Sequence, residues 1–141
     1  MPRATRRSDC PISVALDLFG DRWTLLVIRD LAFKSKNSFT DFLASDERIA
    51  RNVLADRLAR LEAEGFIDKR PHHDDMRRSI YTLTERGLGL IPVLVEMILW
   101  SAREDPDTAA DPDFVREATQ DRDGLIQRLQ QRPPTADRPG P

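Results

Sequence analysis

"IARNVLADRLARLEAEGF", residues Ile49–Phe66, decides the fold. Leu54, Leu58 and Leu61 recur at helical spacing on one face, while Asn52, Ala55, Asp56 and Ala59 fall on the opposite face. Gly65 sits where a helix ends, because a left-handed backbone costs glycine no Cβ clash. The stretch reads as one helix with an apolar side for packing and a small, polar outer side.

Working upstream, "SFTDFLAS" predicts a short helix from Phe39 to about Ala44, with Ser38 and Asp41 forming an approximate capping box. The polar connector "SDER" joins it to the first stretch. Before that, "CPISVALDLFGDRWTLLVIRDLAFKSK" predicts two helices. Pro11 suits the first turn of one, Gly20 ends it, and Asp21 is placed to cap a second running from Arg22 to about Phe33. Trp23, Leu26, Val27, Asp30 and Leu31 lie along the mostly apolar face of that second helix.

Downstream, "FIDKR" and "RRSIYTLT" flank "PHHDDM" and read as a β-hairpin with a long polar tip. Thr84 can then cap a long helix from about Glu85 to Arg103. Pro92 should bend that helix or mark an irregular first turn. "EDPDTAADPD" is a linker by composition, and Asp111–Pro112 starts a last helix ending near Arg132, with Phe114, Ala118, Leu125 and Leu129 on one face. The tail "PPTADRPGP" carries too little apolar surface to fold and is expected to be disordered.

The order helix, helix, short helix, helix, hairpin, long helix is a mainly α winged helix-turn-helix with extra N- and C-terminal helices. It divides the chain into a basic arm at 1–9, a DNA-binding and dimerisation domain at 10–104, an acidic linker and C-terminal helix at 105–132, and a tail at 133–141. The outer face of the 49–66 helix then suits a major groove. Asn52 can pair with an adenine edge, and Arg48 and Arg51 lie near the helix start, where base contacts concentrate. Asp56 either accepts from a cytosine amino group or repels phosphate, unless Arg57 neutralises it. Arg48, Arg51, Asn52 and Arg57 also fit an ordinary solvated helix face. On the hairpin, Arg77 and Arg78 suit a minor groove or phosphates, or else an edge charged against aggregation.

Composition bounds the alternatives. The 141 residues suit one domain with an appendage, 40% being hydrophobic and 33% charged. The net charge of -2 is unevenly spread. Residues 1–82 carry 15 Lys+Arg against 13 Asp+Glu, whereas 83–141 carry 7 against 11, so the acidity lies away from the helix-turn-helix. No stretch reaches the ~20 apolar residues of a membrane span, and "MPRATRRSD" is followed by no apolar signal core, which makes a cytoplasmic location the expectation. One cysteine, Cys10, allows no internal disulfide.

Several motifs are weaker. "HHDD" invites a metal reading, but neighbouring strand residues point to opposite faces, so no metal and no cofactor is expected. In "GLGL" the third glycine a dinucleotide site needs is Pro92. No pair of residues resembles a nucleophile and its base, so the chain does not read as an enzyme. A winged helix that binds protein instead of DNA stays open, favoured by the sequence pI of about 5.7.

Taken together, "CPISVALDLFGDRWTLLVIRDL", "SFTDFL", "IARNVLADRLARLEAEGFIDKR", "YTLTERG" and "LIPVLVEMILW" resemble the HxlR-type winged-helix transcriptional regulators over about Cys10 to Glu104. That resemblance implies a cytoplasmic homodimer that binds double-stranded DNA, and beside it the candidate DNA-binding residues are Ser38, Arg48, Arg51, Asn52, Asp56, Arg57, Arg77 and Arg78. It also implies a small-molecule or electrophile effector and a sensor thiol at Cys10, whereas the bland alternative for Cys10 is inert packing. Ala50 departs from the pattern, where a hydroxyl or amide residue is more usual, and the chain beyond residue 104 lies outside it.

Overall fold

A computed structural model describes residues 6–131. Helix α1 spans Pro11–Phe19 and α2 spans Thr24–Phe33, followed by the short α3 at Phe39–Leu43 and α4 at Arg51–Ala63. Strands β1 (Ile67–Pro71) and β2 (Ser79–Leu83) form an antiparallel hairpin with Ile67 opposite Leu83 and Pro71 opposite Ser79. Four helices follow, α5 (Glu85–Leu88), α6 (Ile91–Glu104), α7 (Pro112–Gln120) and α8 (Arg122–Gln130). This is a helix-turn-helix, α3 and α4, followed by a β-wing.

Local chemistry sets the boundaries. Ser38 caps α3 by accepting from the N–H of Asp41 at 3.2 Å, and Asp41 in turn accepts from the N–H of Asn37. Helix α4 ends at Gly65, whose φ is +78°. There the N–H of Phe66 donates to Leu61 O at 2.9 Å and that of Gly65 to Glu62 O at 3.0 Å, which satisfies two terminal carbonyls. The same turn brings Phe66 back over Leu61, both buried, and aims the chain into β1. Thr84 ties the return strand to this corner, donating from its hydroxyl to Gly65 O and accepting from the N–H of Gly87.

The leucine face of α4 is the floor of the first core. Leu54, Leu58 and Leu61 pack with Val27, Ile28, Phe42, Ile67 and Tyr81. The wing is pinned by Tyr81, whose N–H donates to Asn37 O at 2.8 Å, so β2 borders the loop entering α3. A second core joins Ile91, Val95 and Leu99 of α6 to Ala118, Leu125 and Ile126. The C-terminal helices therefore roof one side of α6.

Three expectations need correction. The last helix is two, broken at Asp121, whose φ of -148° and ψ of 69° leave the helical region while its carboxylate caps α8 through the N–H of Gly124. The long helix after the wing is also two, because Leu90 separates α5 from α6; Pro92 lies in the first turn of α6, where its missing N–H costs nothing. Helix α2 proper starts at Thr24 and α4 at Arg51, each two residues later than expected. Residues 1–5 of the arm and the whole 133–141 tail lie outside the described residues.

Candidate nucleic-acid interface

The outer face of α4 is exposed as the periodicity requires: Arg51, Asn52, Ala55, Asp56 and Ala59 face solvent. Asn52 is exposed and makes no side-chain hydrogen bond to another described residue. Ala50, the N-cap, offers no side-chain oxygen, so no side chain caps the first turn of α4. Arg51 lies over the ring of Phe39, its guanidinium carbon 5.7 Å from the centroid, which steadies it at the start of the helix. Arg48 is exposed in the turn before α4, not on the helix, with φ +57°.

Other candidates are committed internally. The side chain of Ser38 caps α3, though its hydroxyl hydrogen remains able to donate outward. Arg57 turns toward the domain, where its Nε donates to Asp21 Oδ2 at 2.8 Å. It also forms an ion pair with the exposed Asp56 carboxylate. Arg60, exposed, donates to the backbone carbonyl of Asp17 near the end of α1.

On the wing, Arg78 is exposed while its backbone closes the tip, with His72 N–H donating to Arg78 O at 2.8 Å. Arg77 is 92% exposed and reaches Asp75 at 3.2 Å. Met76, between Asp75 and Arg77, is exposed as well. His72, His73 and Asp74 bring possible metal-ligand atoms within 4.8 Å of one another. Their mutual contacts account for that grouping. His72 Nδ1 accepts from the N–H of Asp74, His73 Nε2 lies 3.0 Å from the Asp74 carboxylate, and the two rings stack at 4.6 Å.

A frame of ion pairs holds the helix-turn-helix against α2. Arg29 grips Glu47 in the turn through two hydrogen bonds of 2.9 and 2.8 Å. Asp30, buried, accepts from the Ser45 hydroxyl at 2.7 Å, and Lys36 donates to the same hydroxyl. The Arg29 guanidinium holds the Glu47 carboxyl down to about 2. At the other end of α2, burial raises the Asp21 carboxyl, but hydrogen bonds from Thr24 and Arg57 outweigh it and hold Asp21 at about 2. The signal for the frame was Asp30 itself, a charge on an otherwise apolar helix face.

Cys10 is exposed at the N-cap of α1. The N–H groups of Ser13 and Ile12 lower its thiol pKa, favouring the thiolate. Helix α1 has no buried residue, and Ile12 and Leu16 are 71% and 50% exposed. On α6, Val93, Met97 and Trp100 are exposed too, lining an open groove rimmed by Glu96, Arg103 and Arg122. No helix among the described residues is long and apolar enough to cross a membrane.

A family profile described as HxlR-like helix-turn-helix matches residues 18–108. The HTH-type transcriptional regulator Rv3095 of Mycobacterium tuberculosis is 36% identical over 105 residues, which is 74% of this chain and 65% of that protein. The chain thus spans just under two thirds of that relative's length. Among solved structures, the redox regulator HypR in its oxidised form is 27% identical with a TM-score of 0.60, covering 70% of this chain and 100% of HypR. Quinone-bound YodB from B. subtilis is 31% identical with a TM-score of 0.54, covering 67% of this chain and 99% of YodB.

Proposed function

The chain belongs to the HxlR-like helix-turn-helix family, and from that premise we propose that it is a sequence-specific DNA-binding transcriptional regulator acting as a homodimer on an inverted-repeat operator. The observation that carries the proposal is the split face of α4. Its leucines are buried while Arg51, Asn52 and Ala55 stand open to solvent, with Arg77 and Arg78 exposed on the wing. Small side chains at Ala55 and Ala59 let the helix backbone approach base edges closely.

Residues 10–104 form the DNA-binding and dimerisation unit in this proposal, and residues 105–132 an acidic appendage. The dimer rests on apolar surface that one copy leaves uncovered, Ile12 and Leu16 of α1 and Val93, Met97 and Trp100 of α6. A twofold pairing there sets two α4 helices about one DNA turn, ~34 Å, apart.

Control by a small molecule or electrophile at Cys10 is the regulatory part of the proposal. The exposed, acidified thiol supports it, as does the likeness to a redox regulator and to a quinone-bound one. The thiolate would add to a quinone ring carbon, forming an S–C bond while the ring electrons pass to oxygens that take up protons. Challenging wild type and Cys10→Ser with a quinone tests this part: the serine variant is expected to keep its operator affinity. Equal loss in both would remove Cys10 from the account.

Fluorescence anisotropy with genomic DNA fragments tests the core proposal. Binding should weaken by ~10³ or more between low and moderate salt, as displacement of several phosphate counterions requires. A protein-binding winged helix would leave the anisotropy flat at every salt concentration.

A further inference from the structure

Arg57 carries a relay from the buried start of α2 to the outer face of α4. Asp21 is fixed first: its carboxylate accepts from the N–H of Trp23 at 3.0 Å, from that of Thr24 at 3.1 Å, and from the Thr24 hydroxyl. Thr24 is buried, so Asp21 has little freedom to move. Arg57 then spans two carboxylates, donating from Nε to Asp21 Oδ2 at 2.8 Å and from Nη1 to Asp56 Oδ2. The Arg57 side chain is only 23% exposed, while that of Asp56 is 67% exposed.

We infer that Arg57 is a positioning residue, not a DNA contact, and that it holds Asp56 outward as an acceptor for the exocyclic amino group of a base, cytosine above all, in the major groove. This inference rests on the DNA-binding reading of α4. An isolated carboxylate on that face would be repelled by phosphates. Paired with a guanidinium it loses most of that repulsion, yet the oxygen not facing Arg57 keeps lone pairs for an N–H donor. Cytosine presents its N4 amino group in the major groove, and a carboxylate is the side chain that accepts from it. Arginine suits the relay because its planar fork serves two carboxylates at once, which the point charge of lysine does not.

The test is selection of binding sites from random duplexes, with a salt titration, on the full chain and on Asp56→Ala, Arg57→Gln, Arg57→Lys and Asp21→Asn. All four variants should lose preference at the same base-pair position of each half-site, by about fivefold to a hundredfold. The slope of log affinity against log salt should stay unchanged in Arg57→Gln, because no phosphate contact is lost. A slope reduced by about one in Arg57→Gln, with all sequences weakened alike, would overturn the inference and mark a phosphate contact. Full retention of preference in Arg57→Lys or in Asp21→Asn would overturn it as well. Asp56 is exposed, so Asp56→Ala folds even if the others are impaired, and wild-type preference in that variant alone would suffice to reject the role. A wild-type chain that binds no duplex instead sinks the DNA-binding reading, and this inference with it.

Discussion

Arg29 and Glu47 face each other across the helix-turn-helix as a two-pronged ion pair, 2.9 and 2.8 Å, joining α2 to the turn that aims α4. The pair fixes the turn from outside the apolar core. Together with Asp21–Arg57 at the other end of α2, it makes the setting of the recognition helix depend on two carboxylates that must stay ionised.

Stability should therefore fall in acid. Glu47 and Asp21 are both held at about 2 in the folded chain, below their ordinary values of 4.5 and 3.8. A depressed folded-state pKa stabilises fully above the ordinary value, and that contribution is lost as pH falls through about 2. Urea unfolding from pH 6 to pH 2 should show stability dropping across that window. The double variant Asp21→Asn/Glu47→Gln should be less stable at pH 6 and show a shallower decline, and an unchanged slope would contradict the assignment.

The corner after α4 separates two kinds of glycine. Gly65 has φ +78° and open space around an added Cβ, so Gly65→Ala should cost only the left-handed conformation, about 1 kcal/mol. An added Cβ at Gly87 would sit 2.2 Å from Phe66 O, a backbone atom. Gly87→Ala should destabilise more than Gly65→Ala in thermal unfolding. Leu54→Ala, which empties a fully buried position, should cost about 2–5 kcal/mol.

Much of this was legible in the sequence, for reasons that are local. Leu54, Leu58 and Leu61 repeat at the helical period, Gly65 marks the stop, and the Ser38–Asp41 cap needs only three residues of spacing. The break at Asp121 was hidden because Ala118 and Leu125 are seven residues apart, two helical turns, so the apolar pattern keeps its phase across the interruption. The inward turn of Arg57 was hidden for a different reason. It flanks the buried stripe of α4, and its partner Asp21 lies 36 residues earlier, a pairing that only the packed fold creates. The exposure of the outer face of α4 was legible directly, whereas the ion pairs behind it were not.

Wing and helix should differ in what they contribute to DNA. Arg77→Ala should weaken binding to all duplexes alike and reduce the salt slope by about one. Asn52→Ala should instead relax preference at one base position, by ~1–3 kcal/mol. Competition titrations against single-site operator variants distinguish these outcomes, and an Asn52→Ala variant with wild-type preference and affinity would contradict the helix assignment.

The proposed dimer makes the apolar groove of α6 essential. Trp100 is 59% exposed and Met97 49% in one copy. Trp100→Glu should convert the protein to monomers by analytical ultracentrifugation and sharply reduce operator affinity, while the thermal unfolding of each subunit's core stays in place. A monomer that keeps full affinity would contradict the twofold arrangement.

The most direct measurement is selection of bound sites from a random duplex library by the purified wild-type chain. A twofold dimer should enrich an inverted repeat whose half-sites are centred about one helical turn, roughly 10 base pairs, apart. Enrichment of a single unpaired half-site, or of no sequence at all, would contradict it.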